Sequence, residues 1–325
     1  MSNTDQLQRW LFEDINARCV HVQLESVLRE ALGKDEPGKG AAESSESGKD
    51  GRKEDRKRKD AHPELIERLL SHALLLVSLM SSGIKFSGRI SLQLQSSGPL
   101  RLLMADCTDD GGLRCIARLN EDHALPQTDA ELWQSLTDDG ILTLTLEPGN
   151  QAERWQGIVP LEGNGLAEAI ENYFIRSEQL ATRVRVAVAG QKASALMIQR
   201  MPAPSGRPDP SIDADGWNRL SHLIGTLSDD ELGQLSGEDL VTRLFHQEDR
   251  RQFPERALRF YCPCSRDRVA EVLLSLGQDE VESMAEEGET VNVQCEFCAR
   301  HYDFDPIQLL ELLSKPATTQ SRTVH

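Results

Sequence analysis

The chain is short of basic residues, of cysteine and of long apolar runs, and each shortage removes a class of function. Lys and Arg total 36 against 53 Asp and Glu, a formal net charge of −17. A field of that sign repels nucleic acid and anionic membranes away from any local basic patch. The longest apolar stretch, "ALLLVSLM" from Ala73 to Met80, falls far below the ~20 residues that span a bilayer. The opening "MSNTDQLQRWLFEDI" lacks the basic-then-apolar layout of a secretory signal. No G-x-x-x-x-G-K-[ST] loop offers a cradle for ATP phosphates, and no nucleophile–base set stands out. The expectation is a cytoplasmic protein that is no enzyme and has neither nucleic acid nor membrane as partner.

What is present is a chain of 325 residues, 38% hydrophobic and 27% charged, long enough for a large domain and a small one. The first segment has Leu7, Trp10, Leu11 and Ile15 at helical spacing and reads as a helix, followed by the alternating strand "CVHVQL". From Gly33 to Asp60 no aliphatic or aromatic residue larger than Ala occurs. Such a segment cannot bury enough apolar surface to offset its chain entropy, so it reads as a disordered insertion at 33–60. Pro63 then opens a helix, "HPELIERLLSHALLLVSLM", apolar on most faces and therefore central. Strand-like runs follow: "ISLQLQ", "LRLLMADC", "LRCIARL", "ILTLTLEP" and "RWQGIVPLEG". A helix, "GLAEAIENYFIRSEQL", precedes two more strands ending near Met201. Short Gly-containing connections favour antiparallel pairing with helices packed over the sheets, an α+β core domain over 1–202.

The composition changes at "PAPSGRPDPSIDADG". Three short apolar stripes come next: Trp217, Leu220, Leu223, Ile224 and Leu227; then Leu232 and Leu235; then Leu240, Val241, Leu244 and Phe245. Ser228 with Glu231, and Ser236 with Asp239, are helix start signals. Gly225, Gly233 and Gly237 interrupt the stripes, and helices this short hold only when docked. Residues 203–258 thus read as a metastable helical linker, 259–315 as a small cysteine domain, and 316–325 as a disordered tail.

Four of the seven cysteines fall in the last fifth of the chain, as Cys262 and Cys264 in "YCPC" and Cys295 and Cys298 in "QCEFC". Four cysteines in paired spacing suit one tetrahedral Zn2+. Neighbouring sulfurs around zinc stand about 3.8 Å apart, whereas a disulfide needs about 2.05 Å, so oxidation must break metal bonds. Each thiolate also has a second thiol close by in sequence, the requirement for reversible oxidation. His301 lies three residues past Cys298 but reads as a hairpin residue, because four thiols already fill the site. Cys19, Cys107 and Cys115 lie in or beside strand-like runs and read as core thiols.

With "DQLQRWLFE", "LQLQSSGPL", "RWQGIVPLEG", "YFIRSEQLATR" and "HYDFDP" in the same order, this C-x-C…C-x-x-C pattern resembles the 33-kDa heat-shock chaperonin family of redox-regulated holdases. The insertion at 33–60 looks longer than the family usually carries. The resemblance implies zinc on Cys262, Cys264, Cys295 and Cys298 in a reduced, inactive form. It implies that oxidation joins Cys262 to Cys264 and Cys295 to Cys298, releases zinc and unfolds the linker. The activated form then dimerises and holds unfolding client proteins without ATP. Two other classes compete. A zinc-module nucleic-acid binder is disfavoured because Phe260 to Ser314 carries twelve acids and three arginines, a net of −9. A thiol–disulfide oxidoreductase would place one C-x-x-C at a helix N-terminus, and the strand-turn context argues otherwise.

Overall fold

The computed structural model describes residues 4–34, 62–83, 87–149, 153–202 and 212–314. Of the expected insertion only Gly33 and Lys34 lie within these ranges; its remainder and the expected tail at 316–325 lie outside the described residues. Contacts divide the chain into two compact units, one reaching Tyr261 and the other beginning at Cys262.

The first unit is built on two sheets. One has strand order β10-β1-β2-β9-β8, formed by β1 (Gln6–Phe12), β2 (Ala17–Leu24), β8 (Thr182–Ala189), β9 (Lys192–Arg200) and β10 (Arg251–Ala257). All its pairings are antiparallel. The other has order β11-β5-β4-β3-β6-β7, formed by β3 (Gly88–Gln95), β4 (Leu100–Thr108), β5 (Gly112–Leu119), β6 (Ile141–Pro148), β7 (Trp155–Val159) and β11 (Arg259–Phe260). Only β11, beside β5, runs parallel to its neighbour. Three of the helices are α1 (Ser26–Ala31), α3 (Asp129–Thr137) and α4 (Leu166–Arg176). Asp5 fixes the start of α1 by accepting the backbone N–H groups of Glu25, Ser26 and Val27.

Helix α2 (Glu64–Ser81) packs on β3, β4 and β5 of one sheet and on β2, β8 and β9 of the other. Its Ile66, Leu70, Leu74, Leu75, Leu76 and Leu79 are all buried. That explains a sequence apolar on most faces: a helix with a sheet on either side has little solvent face to keep polar. α3 was not anticipated, although Thr128 and Glu131 form a reciprocal capping box at its start.

The other face of the first sheet carries α5 (Gly216–Gly225), α6 (Asp229–Gln234) and α7 (Gly237–Leu244). Leu220, Ile224, Leu227, Leu232, Leu240, Val241 and Phe245 form one buried cluster with Trp10, Phe12, Ile15, Cys19, Leu196 and Ile198. Phe245 meets Phe12 edge-on, with ring centroids 5.3 Å apart. Ser228 and Glu231 cap α6 reciprocally, and Ser236 accepts the Asp239 N–H at α7, as their spacing predicted.

The expected first helix is a strand. β1 has both faces covered: Leu7 joins the α2 core, while Trp10 and Phe12 join the cluster beneath α5–α7. A strand buried on both faces loses its period-2 pattern, and its apolar positions then fall at helical spacing by coincidence. The stretch expected as a helical linker also contains β10, which pairs with β1 from Gln6↔Ala257 to Leu11↔Arg251.

In the second unit, α8 (Arg266–Ser275), α9 (Gln278–Glu286) and α10 (Pro306–Ser314) accompany a hairpin of β12 (Val291–Gln294) and β13 (His301–Phe304). Asp305 accepts the Gln308 N–H, so the Asp-Pro start of α10 is a true cap. Among the described residues the core cluster here is Ala270, Leu273, Val281, Ala285, Tyr302, Phe304 and Leu309.

Candidate metal centre

Cys262 and Cys264 lie on the extended segment before α8, whose N-cap Ser265 accepts the Arg268 N–H. Cys295 and Cys298 sit on the turn between β12 and β13. That turn is closed by Cys295 N–H donating to Arg300 C=O at 2.8 Å and Ala299 N–H donating to Cys295 C=O at 2.7 Å. Closing it places Ala299 at φ 56°, in the left-handed region. The two pairs meet: the four Sγ atoms all lie within 4.8 Å of one another. Cys262 Sγ is 3.6 Å from Cys295 Sγ, and Cys264 Sγ is 3.3 Å from Cys298 Sγ.

This donor set fits a metal ion. Four half-buried sulfurs at these separations bracket the ~3.8 Å edge of a tetrahedral zinc–thiolate site, and all four could hold the ion. Backbone N–H groups already point at the sulfurs. Cys295 receives hydrogen bonds from the N–H of Phe297 and of Cys298, Cys298 from that of Arg300, and Cys262 from that of Cys264. Such donors stabilise thiolate charge. Protons among thiols this close are shared unequally. Hydrogen bonds from Cys262 and Cys298 hold the Cys295 thiol well below the ordinary range. The Cys262 thiol is pushed up to about 11, chiefly by its hydrogen bond to Cys295.

His301 stands apart from the set, as expected, with Nδ1 2.8 Å from Asn292 Oδ1 in the hairpin. Sequence reasoning did not single out Tyr302, whose hydroxyl donates to Cys264 Sγ at 3.1 Å, or Arg300, which hydrogen-bonds Tyr302. The signal was available in β13, where Tyr302 and Phe304 are buried and alternate with Asp303 on the exposed side.

A family model described as Hsp33 protein matches residues 52–305. This chain belongs to the Hsp33 family. The 33 kDa chaperonin of Pseudomonas aeruginosa (strain LESB58) is 37% identical over 97% of this chain and 96% of its own. That of Ectopseudomonas mendocina is 41% identical over 70% of this chain and 76% of its own. The crystal structure of the 33 kDa chaperonin of Thermotoga maritima superposes with a TM-score of 0.75, covering 96% of this chain and 98% of that one. At 21% identity, that likeness is one of fold.

The remaining cysteines are structural in setting. Cys19 in β2, Cys107 in β4 and Cys115 in β5 are buried, and burial pushes the Cys19 and Cys107 thiols up, away from reactive thiolates. Among the described residues no helix is long and apolar enough to cross a membrane.

Proposed function

We propose that this chain is an oxidant-regulated, ATP-independent chaperone of the cytoplasm, a binding protein rather than an enzyme. The observation that carries the reading is the convergence of four thiols within 4.8 Å in a unit whose buried apolar cluster, among the described residues, is seven side chains. A core that thin needs a cross-link, and a structural zinc contributes on the order of 10 kcal/mol of folding free energy in such domains. When bound, zinc supplies that cross-link and keeps its ligands as thiolates, the form that reacts with peroxide. Cys262, Cys264, Cys295 and Cys298 are the residues that would hold it.

In the regulatory step, a thiolate sulfur attacks peroxide and becomes a sulfenic acid as the O–O bond breaks. A second thiol then displaces the hydroxyl. The balance is two thiols and one peroxide giving one disulfide and two waters. We assign the disulfides to Cys262 with Cys264 and Cys295 with Cys298, as the family resemblance implies. In the reduced fold Cys262 Sγ also lies 3.6 Å from Cys295 Sγ, and Cys264 Sγ 3.3 Å from Cys298 Sγ, so peptide mapping of the oxidised protein is the deciding measurement. Either pairing leaves the set without four thiolate donors, and a unit with so small a core unfolds.

The second unit follows directly on β11, which ends at Phe260. Its unfolding frees the segment that leads into it, and α5–α7 then leave the first sheet. Leu220, Ile224, Leu240 and Phe245, with Trp10, Phe12 and Ile198 beneath them, become contiguous apolar surface of the kind that binds unfolding clients or a second copy in a homodimer. The family's curated relatives bear the name chaperonin, which supports this reading. The test measures zinc content and prevention of client aggregation before and after peroxide. Zinc at one per reduced chain, loss of it on oxidation and gain of activity are expected. Cys298→Ser should bind zinc clearly more weakly, because three thiolates leave a position open to water. Unchanged affinity in single serine variants of all four cysteines would remove the site.

A further inference from the structure

Two arginines at one corner of the first sheet have no acidic partner among the described residues. In the β1–β2 register Arg9 lies opposite Val20 and Leu11 opposite Arg18. Arg9 and Arg18 therefore sit diagonally on one face, within mutual reach of long side chains. Both are half-buried. The Nε of each is fully buried and has no hydrogen-bond partner. Among the described residues neither guanidinium has an acid partner: Glu13, on the short turn between the strands, is taken by Arg251 at 2.9 Å.

The surroundings hold the two groups in place without neutralising them. The Arg18 guanidinium lies against the end of α2, where a Cβ on Gly83 would stand 2.9 Å from its Nη1. The Arg9 guanidinium packs over the Phe253 ring of β10 at 5.6 Å, and Arg251 lies over the same ring at 5.0 Å. Desolvation, and then the charge of Arg9, lower the Arg18 pKa from 12.5 to about 10. Unpaired buried donors and two like charges are both unfavourable, and a single anion between them relieves both. The rigid guanidinium fork, with five donors, matches the oxygen spacing of a phosphate group.

We propose that Arg9 and Arg18 form a binding site for a small phosphate-bearing anion, placed on β1 and β2 beside the edge where β10 pairs with β1. The Phe253 ring is already covered by two arginines, which favours a bare phosphate group over a ligand that needs a ring to stack upon. Because Arg9 packs on β10, the bound anion also favours the paired state of β10.

The probes are inorganic phosphate and glycerol phosphate, titrated calorimetrically into the reduced full-length protein at constant ionic strength, with chloride as the reference. Hydrogen exchange across 251–257 is followed alongside. Saturable binding of phosphate is expected, weakened at least about tenfold in Arg9→Gln and Arg18→Gln and unchanged in Arg101→Gln, on exposed β4 surface. Equal affinity for both probes assigns recognition to the phosphate group alone. Tighter binding of glycerol phosphate assigns it to an organic phosphate. Slower exchange over 251–257 with phosphate is expected in the wild type only. Arg9→Lys and Arg18→Lys keep the charge but lose the fork, so variants that stay folded and lose phosphate separate recognition from stability. Non-saturable binding, or equal loss in Arg101→Gln, overturns the proposal. So does a wild type indifferent to phosphate while Arg18→Lys is fully stable, which would make Arg18 simply a partner of the α2 C-terminus.

Discussion

Ala299 occupies the one position of the cysteine turn where a side chain is a burden. At φ 56° a Cβ approaches the neighbouring carbonyl oxygen, which costs roughly 1 kcal/mol relative to glycine. Ala299→Gly should therefore stabilise the second unit by about that amount and raise the peroxide dose needed for oxidation; thermal melting of the reduced protein checks it. His21 presents a second case. It is 0% exposed, and both ring nitrogens lack a hydrogen-bond partner. Gln8 lies opposite it on β1 and Leu196 on β9, and the backbone of Gly237 on α7 covers it so closely that a Cβ there would stand 2.4 Å from Nδ1. Burial lowers its pKa from 6.5 to about 4, with no charged group contributing. The docked state thus holds the neutral ring. Docking is fully favoured above pH 6.5 and weakens as pH falls toward 4, by up to roughly 3 kcal/mol. The opening equilibrium over 216–245, read from hydrogen exchange after division by the intrinsic rate, should rise as pH falls from about 7.5 to about 5, and His21→Leu should abolish that dependence. A pH-independent exchange profile in the wild type would show that His21 does not report on docking.

At the scale of elements, the three short helices owe their order to the sheet beneath them, and their glycines have different jobs. Gly225 has nothing within 4 Å of an added Cβ. Gly225→Ala should stabilise docking by about 0.5–1 kcal/mol through reduced freedom of the unfolded chain. At Gly233 the added Cβ would stand 2.9 Å from the Ala189 Cβ of β8. Gly233→Ala should push α6 away and loosen the layer, by roughly 1–3 kcal/mol. Opposite shifts in exchange over 216–245 are expected from the pair; shifts of the same sign would contradict this packing. Phe245→Ala removes the ring against Phe12 and should cost about 3–5 kcal/mol. Because it empties the docked layer, client binding without any oxidant is the expected outcome, read as suppressed aggregation in reducing buffer.

For the molecule as a whole, the chain joins a two-sheet unit with α2 between its layers to a unit with a core of a few residues. Free energy is distributed just as unevenly, and local opening follows the thin regions first. Peroxide should raise exchange across 212–253 and 262–314 while β3–β6 stay protected. Activity appearing with 212–253 still protected would break the proposed link between the thiols and the docked helices. Deleting Gly38 to Arg58 should leave thermal stability and oxidant activation nearly unchanged, since that stretch of sequence has no aliphatic or aromatic side chain larger than Ala to bury.

Features whose causes lie close together in the chain were legible from sequence. The C-x-C and C-x-x-C pairs, the capping residues at Ser228 and Ser236 and the β12–β13 hairpin each depend on residues a few positions apart. Local geometry and local hydrogen bonds suffice to produce them. Tertiary structure alone decided what depends on partners far away. β1 is a strand because β2 and β10 supply its ladder and two separate clusters cover its faces. Gly233 and Gly237 are small because β8 and β2 approach them, and Arg9 meets Arg18 because a turn folds one strand back on the other. Burial on both faces erases the periodicity that reveals a strand, and no local pattern encodes which distant atoms a side chain will touch.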